Sequence, residues 1–228
     1  MTDFSDSRHQ SSSVQSVLSV FYSQITMTTK KKPFNKYSLT EAYEFLHLRD
    51  PIAWDIPFEV IEPSAFFQEE LRRIEVFDTE SSERGKEVLI DAILQEALNR
   101  RANLKVWKEV TLKTEMFSGR TEYLFAQRFR ILKHPFVCLA EAKKDDFEQG
   151  LAQCLLGMKA CQLLNAKAQI AIDLHGIVTN AEAWRFYKLT LRDELYQTPF
   201  YSFQTQMPTL FGILDTIFMT CEGFIAQT

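Results

Sequence analysis

No basic excess marks this chain: 26 Lys and Arg stand against 30 Asp and Glu, for a formal net charge of -4. A dedicated nucleic-acid binder usually shows a basic excess or stripe, so the balance argues against that class. It still leaves room for an enzyme that touches phosphate locally and offsets its carboxylates with a cation. Cysteine is scarce, and Cys138, Cys154, Cys161 and Cys221 contain no CxxC pair. That spacing excludes a zinc ribbon or a disulfide framework and reads as reduced, buried thiols in a cytoplasmic protein. His9, His47, His134 and His175 are scattered without metal-ligand spacing. No apolar run reads as long enough to span a bilayer, so no membrane partner is expected. The mildly apolar stretch 14–22 lacks a basic flank and a small-residue cleavage site, which argues against a signal peptide. With only 7 Gly and 7 Pro, 46% hydrophobic residues and 19 Phe, the composition is that of an ordinary globular chain, slightly rich in Phe.

Residues 1–36 are Ser-rich, close on TTKKKP and read as a flexible tail, with Met27 as a second candidate start. Residues 37–228 read as a single domain. SLTEAYEFL (38–46) has a Ser cap with Glu three residues on, the signature of a helix start. Pro51, Pro57 and Pro63 break the next segment, leaving a short strand expected near 58–61 and a helical turn at 69–74. A long helix is predicted over 83–101 after Ser81-Ser82, with Val88/Leu89, Ala92/Ile93 and Ala97 along one stripe. Glu96 falls on or beside that stripe, where a carboxylate is costly unless partnered.

Strands are predicted at 104–112, 121–129 and 135–142, with Ser118-Gly119-Arg120 as the first turn. A second helix follows from Asp145/Asp146, acids suited to its N-terminus. Two more strands are expected at 168–177 and 183–189 around Thr179-Asn180-Ala181-Glu182, and Pro208 opens a last apolar helix over 209–224.

VCLAEAKKDDFEQG (137–150) changes character halfway, from a buried strand to clustered charge. Strand alternation puts Val137, Leu139, Glu141 and Lys143 on one face and Phe136, Cys138, Ala140 and Ala142 on the other. Antiparallel return of the preceding strand can bring Glu122 beside Glu141. Two carboxylates at one spot repel, which favours a shared divalent cation or a shared proton. Hard oxygen donors suit Mg²⁺, and a neighbouring lysine can orient water or steady phosphoryl charge.

The order helix, three strands, helix, strand, together with an acid followed by Glu-x-Lys, resembles the PD-(D/E)XK, restriction-endonuclease-like nuclease superfamily. The resemblance covers roughly 83–189 and is carried most by EAKKDDFEQGLAQ. It is also similar to an uncharacterised bacterial branch in which a run like GRTEYLFA precedes the Glu-x-Lys and one like GIVTNAEAWRF follows. The resemblance implies an α/β fold with an αβββαβ core, in which a central mixed sheet is flanked by helices. It implies Mg²⁺-dependent (or Mn²⁺-dependent) phosphodiester hydrolysis, with nucleic acid as partner and DNA ahead of RNA. Glu122 would be the strand-two acid, Glu141 and Lys143 the Glu-x-Lys, Glu96 the first-helix acid and Gln153 the second-helix polar residue. Glu122, Glu141 and the Ala142 carbonyl would hold the metal, with Lys143 at the attacking water. The strand-two acid is usually Asp, and here it is Glu.

Blander readings stand beside each residue. Glu122 can be a solvated strand residue, Glu96 can pair with Arg100 at helical spacing, and Gln153 can lie on the surface. Lys144, Asp145 and Asp146 suit helix-start capping. Trp184, Phe186 and Tyr187 suit hairpin packing, and Phe200-Tyr201-Phe203 a packed loop or a partner contact. Arg120, Arg128 and Arg130 can touch phosphate or stay solvated. A non-catalytic binding module on the same fold is the rival to a nuclease, and a homodimer is compatible with either.

Overall fold

A computed structural model describes residues 32–79, 81–143 and 146–228. Most of the expected tail, the candidate start Met27, and the helix-start residues Lys144 and Asp145 lie outside the described residues. The end of that tail is packed: Phe34, in a 3-10 turn Phe34–Lys36, is buried against the core. The structure thus begins before the boundary expected at Lys36.

The helices are α1 (Leu39–Leu46), α2 (Ala65–Ile74), α3 (Glu83–Leu98), α4 (Phe147–Lys167) and α5 (Phe203–Ala226). The strands are β1 (Ile52–Ala53), β2 (Leu104–Lys113), β3 (Ser118–Gln127), β4 (Phe136–Ala142), β5 (Leu174–Thr179), β6 (Ala183–Leu189), β7 (Leu195–Gln197) and β8 (Tyr201–Ser202). One sheet runs in the order β1-β7-β6-β5-β4-β3-β2, with β8 alongside β6. β2, β3 and β4 form an antiparallel meander, and α4 then crosses to β5, which pairs parallel to β4. The expected α/β fold, a mixed sheet flanked by helices with an αβββαβ order from α3 to β5, is therefore observed.

Two apolar layers cover the sheet. On one face Ile90 and Ile93 of α3 and Phe211 and Phe218 of α5 pack with Phe125, Cys138 and Phe186. On the other, Leu155 and Met158 of α4 and Leu46 of α1 pack with Leu124, Leu139 and Val178. All four cysteines are free and buried, as their spacing indicated. The strand alternation predicted for β4 breaks at one place. Phe125 pairs with Cys138 but Ala126 pairs with Phe136, so Val137 is an extra, bulged residue. Val137 consequently joins the α3/α5 layer and Phe136 the α4 layer, the reverse of simple alternation. The bulge lies before Leu139, so Glu141 and Lys143 keep their common side.

Several boundaries differ from the sequence reading for identifiable reasons. The β2–β3 turn lies at Thr114, whose N–H donates to Phe117 O at 3.0 Å and whose hydroxyl accepts from Phe117 N at 3.1 Å. Ser118-Gly119-Arg120 belong to β3 instead, and Gly119 is needed there because a Cβ would lie 1.9 Å from the Phe34 ring. No strand forms at 58–61, between Pro57 and Pro63; a short strand at Ile52–Ala53 pairs with β7 instead. The turn expected at 69–74 is a longer helix, α2, capped by Ser64. β5 starts only at Leu174, because α4 runs on to Lys167.

The last helix begins at Phe203, capped by Ser202, with non-helical backbone at Gln206 just ahead of Pro208. It is longer than expected, and by length and apolar composition alone it would suffice to cross a membrane. Its apolar residues here fill the sheet-facing layer, where Leu210, Ile213, Leu214 and Phe218 are fully buried.

Asn165 fixes the start of β4, the strand that carries Glu141. Its side-chain oxygen accepts from Phe136 N at 2.9 Å and its amide donates to Phe136 O at 2.7 Å, both buried. Leucine would fill the space but orphan both backbone groups, at a cost of about 1–3 kcal/mol each. Asn165→Leu should lower the urea midpoint by a corresponding amount, and an unchanged midpoint would show that these bonds do not hold the strand.

Candidate active site

The β3–β4 ladder ends at Tyr123 opposite Ala140. One step further in the same register Glu122 faces Glu141, where the strands no longer exchange backbone bonds. The Glu122 side chain takes over that role. Its Oε2 accepts from Ala142 N at 2.6 Å, and its Oε1 accepts from Lys143 Nζ at 2.6 Å. Lys143 N donates to Thr179 O at 2.9 Å, so the strand end stays tied to β5. Because β backbone groups alternate sides, the Ala142 carbonyl shares its amide's direction, toward β3 and Glu122.

Glu122, Glu141, Lys143 and Gln153 line one cavity of about 390 Å³. Gln153, on α4, is almost wholly buried there, not on the surface. Helix α4 can approach because residue 150 is glycine: a Cβ there would stand 3.0 Å from Lys143 Cγ and 2.9 Å from Val178 Cγ1. Gly150 thus lets the helix backbone press on the lysine stem and aim its ammonium at Glu122.

The electrostatics are dominated by desolvation. Glu141 is fully buried, and neither of its oxygens makes a hydrogen bond of normal geometry. Burial first, and then the Glu122 charge, push its pKa up to about 8 against partial relief from Thr121, Lys143 and the Glu122 amide. Burial also pushes Glu122 up, offset in part by Lys143 and the Ala142 amide. Burial pulls the Lys143 ammonium down, but Glu122, Glu141 and Glu83 outweigh it and leave its pKa raised. Lys143 and Glu122 thus form an ion pair, while burial favours the protonated form of Glu141 beside them.

The structure brings together Glu122, Glu141, Lys143, Ala142 and Gln153, and it does not bring Glu96. Glu96 accepts from Ser64 N at 2.7 Å and Ser64 Oγ at 3.0 Å, and it lines a separate cavity with Arg100 and Asp215. It is neither at the candidate site nor in an ion pair with Arg100; its partner is the cap of α2. The acid from this helix that acts on the cluster is Glu83, in the first turn of α3, whose charge raises both Glu122 and Lys143. Its place after the Ser82 cap marks it as a first-turn acid, but nothing in the sequence pattern links it to the strand-end cluster.

Two further groups escaped the sequence reading. Pro33, Phe34 and Asn35 form one cavity wall. Glu109 also lines it, in the left-handed backbone region at φ 55° although it lies within β2. By the β2–β3 register it stands opposite Glu122. Arg120 holds it there: Nε donates to Glu109 O at 3.3 Å and the guanidinium pairs with its carboxylate. A non-glycine residue in that conformation persists only when its surroundings over-determine it, and such residues concentrate at functional sites.

The residues fit a hard divalent cation. Among the described residues no group of three or more His, Cys, Asp and Glu converges on one point. Mg²⁺ needs only one or two carboxylates because it keeps several waters. Two orphaned carboxylate oxygens in a cavity shared with Glu109 and Glu122, with a carbonyl on the same side, meet that requirement.

No family model matches this chain. A 50-residue segment is 44% identical to Crinkler effector protein 5 from Phytophthora infestans. That segment is 22% of this chain and 13% of that protein, so the chain spans only a small part of the relative.

Glu141 should make stability pH-dependent. Its folded pKa of about 8 lies above the ordinary value of 4.5, so between these pH values the folded state holds a proton that the unfolded state has released. Stability therefore falls as pH rises through that window, on the order of 1.4 kcal/mol per pH unit at most, and levels off above it. Glu141→Gln should flatten the decline, being more stable than the parent at pH 8.5 and little different at pH 4.5. Parallel melting curves across that range would refute a protonated Glu141.

Proposed function

We propose that this protein hydrolyses phosphodiester bonds with Mg²⁺, with Glu122, Glu141 and the Ala142 carbonyl as the metal-holding set. One observation carries the reading: a fully buried, unbonded carboxylate faces a second carboxylate and a lysine at the open end of a β ladder. Burying an uncompensated acid is expensive, and core stability alone gives no reason to keep one. The αβββαβ order, with these residues at its strand ends, supports a place in the restriction-endonuclease-like superfamily.

Bound Mg²⁺ would supply Lewis acidity toward a phosphate and acidify water. Lys143 would hold a water or the developing phosphoryl charge through its Nζ protons. Gln153 would orient the same water or a phosphate oxygen from α4. Glu83 would add negative charge at the rim and so draw the cation in. Duplex DNA is the first substrate to try, ahead of RNA.

A specific contact favours a second reading, a non-catalytic binding module. The 2.6 Å Lys143–Glu122 pair already neutralises half of the acid cluster without a metal. Calorimetric titration separates the two, because sub-millimolar Mg²⁺ or Mn²⁺ binding that vanishes in Glu141→Ala is expected only of the nuclease.

The kinetic test compares Glu141→Ala and Lys143→Ala with the parent on supercoiled plasmid, with folding checked by circular dichroism. Each should lose Mg²⁺-dependent cleavage by on the order of 10²-fold or more. Glu96→Gln, remote from the cavity, should stay within a few-fold of the parent. Full cleavage by both alanine variants would overturn the assignment.

A further inference from the structure

A strongly charged patch lies at the other end of β3. Between Glu122 and Glu141 the chain has no Asp or Glu, yet it carries Arg128, Arg130 and Lys133 in the β3–β4 connection. The fold brings Lys105 of the edge strand β2 to the same place, its Nζ donating to Phe129 O at 3.3 Å. Arg128 is anchored by neutral groups, its Nε donating to Leu104 O at 3.1 Å. None of these four cations has a carboxylate within ion-pair distance among the described residues. Lys32, Lys108, Arg120, Lys143, Lys159 and Lys167 all do. In a chain of net charge -4, these four thus form a local cluster of cations with no ion-pair partner among the described residues.

Aromatic faces are interleaved with it. Lys105 Nζ lies 4.0 Å from the Trp107 ring centroid and Lys133 Nζ lies 5.1 Å from that of Phe129. Phe129 and Ile131 are exposed, 41% and 60%, between the arginines. A cavity of about 630 Å³, lined in part by Lys105, Arg128 and Phe129, opens beside them. Cations without a carboxylate partner, beside the exposed Phe129 ring and the half-buried Trp107 ring, match the two halves of a nucleotide: phosphate and flat base or sugar. An acidic peptide would use the cations but leave the rings without a role.

We infer that Lys105, Arg128, Arg130 and Lys133 form a nucleic-acid docking surface distinct from the Glu122/Glu141 cavity. Arg128 lies six positions along the chain from Glu122, roughly 20 Å. The surface therefore does not touch the reacting phosphate. It binds the flanking backbone and supplies remote binding energy, which appears in Kd and KM more than in kcat. The inference deepens the proposed nuclease reading and rests on it for the substrate class.

The test is fluorescence anisotropy of the full chain with a labelled DNA duplex in EDTA, where no cleavage occurs, from roughly 50 to 200 mM salt. The parent should bind with a steep salt dependence. Replacing Lys105, Arg128, Arg130 and Lys133 together by Gln should weaken binding at least tenfold and reduce the salt slope by about 3 to 4, near one unit per lost phosphate contact. A variant that keeps Arg128 and changes the other three should show about three quarters of that slope change, which covers misfolding of the first. Glu96→Gln, outside both the cavity and the surface, should bind as the parent does.

Absence of duplex binding by the parent would overturn the surface, and so would an unchanged slope in folded variants. Preferential binding of vesicles rich in anionic lipid over DNA would overturn it as well. Duplex binding that depends on the four cations, in a chain that never cleaves, would support the surface while sinking the nuclease reading.

Discussion

The site depends on one unfavourable placement: the Glu141 carboxylate, enclosed at the end of β4 without a hydrogen bond and facing Glu122 across a ladder that has just ended. Everything around it manages that cost. Glu122 turns its two oxygens to Ala142 N and Lys143 Nζ, which offsets part of its own burial. Gly150 brings the α4 backbone against the Lys143 stem, and Arg120 clamps Glu109 in a left-handed conformation on the far wall. The result is a cavity lined by a buried acid, a second carboxylate and a lysine.

The fold that delivers this geometry is ordinary in its energetics. Two apolar layers sandwich the sheet, and Asn165 pins the first residue of β4 by bonding both its backbone groups. The Val137 bulge absorbs a register shift upstream of the site, so that Leu139, Glu141 and Lys143 keep one phase toward α4. Had the bulge fallen after Leu139, Glu141 would have turned to the α3/α5 layer, where Ile90, Ile93 and Phe218 offer no polar partner.

What could be read in advance followed periodicity. β6 was legible to the residue because Trp184, Phe186 and Leu189 are buried there between clear turn signals. The Ser38 capping box marked α1 correctly. The Glu122–Glu141–Lys143 cluster was legible because antiparallel register and alternation place side chains without knowledge of the rest of the fold. Glu96 failed for the opposite reason. Its spacing on α3 correctly foretold partial burial, but its partner, Ser64, is 32 residues away in a segment broken by prolines. Helical phase says how deep a carboxylate sits and nothing about what meets it. Glu109 and the Phe34 wall were likewise invisible, since both arise from contacts that local pattern does not encode.

The same distinction sets how the charge should be read. Net charge of -4 argued against a nucleic-acid coat, yet the mean conceals a segregation that topology creates. The antiparallel β3–β4 pair carries acids at one end and, in its connection, only cations at the other. Acid at the cavity would repel a polyanion unless a metal screened it, whereas the cationic end attracts one without help. On the proposed reading, a strand pair polarised in this way would separate holding a phosphate chain from attacking it. If the proposed chemistry is right, the two ends of β3 carry different steps: one sets how tightly nucleic acid is held, the other whether it is cut.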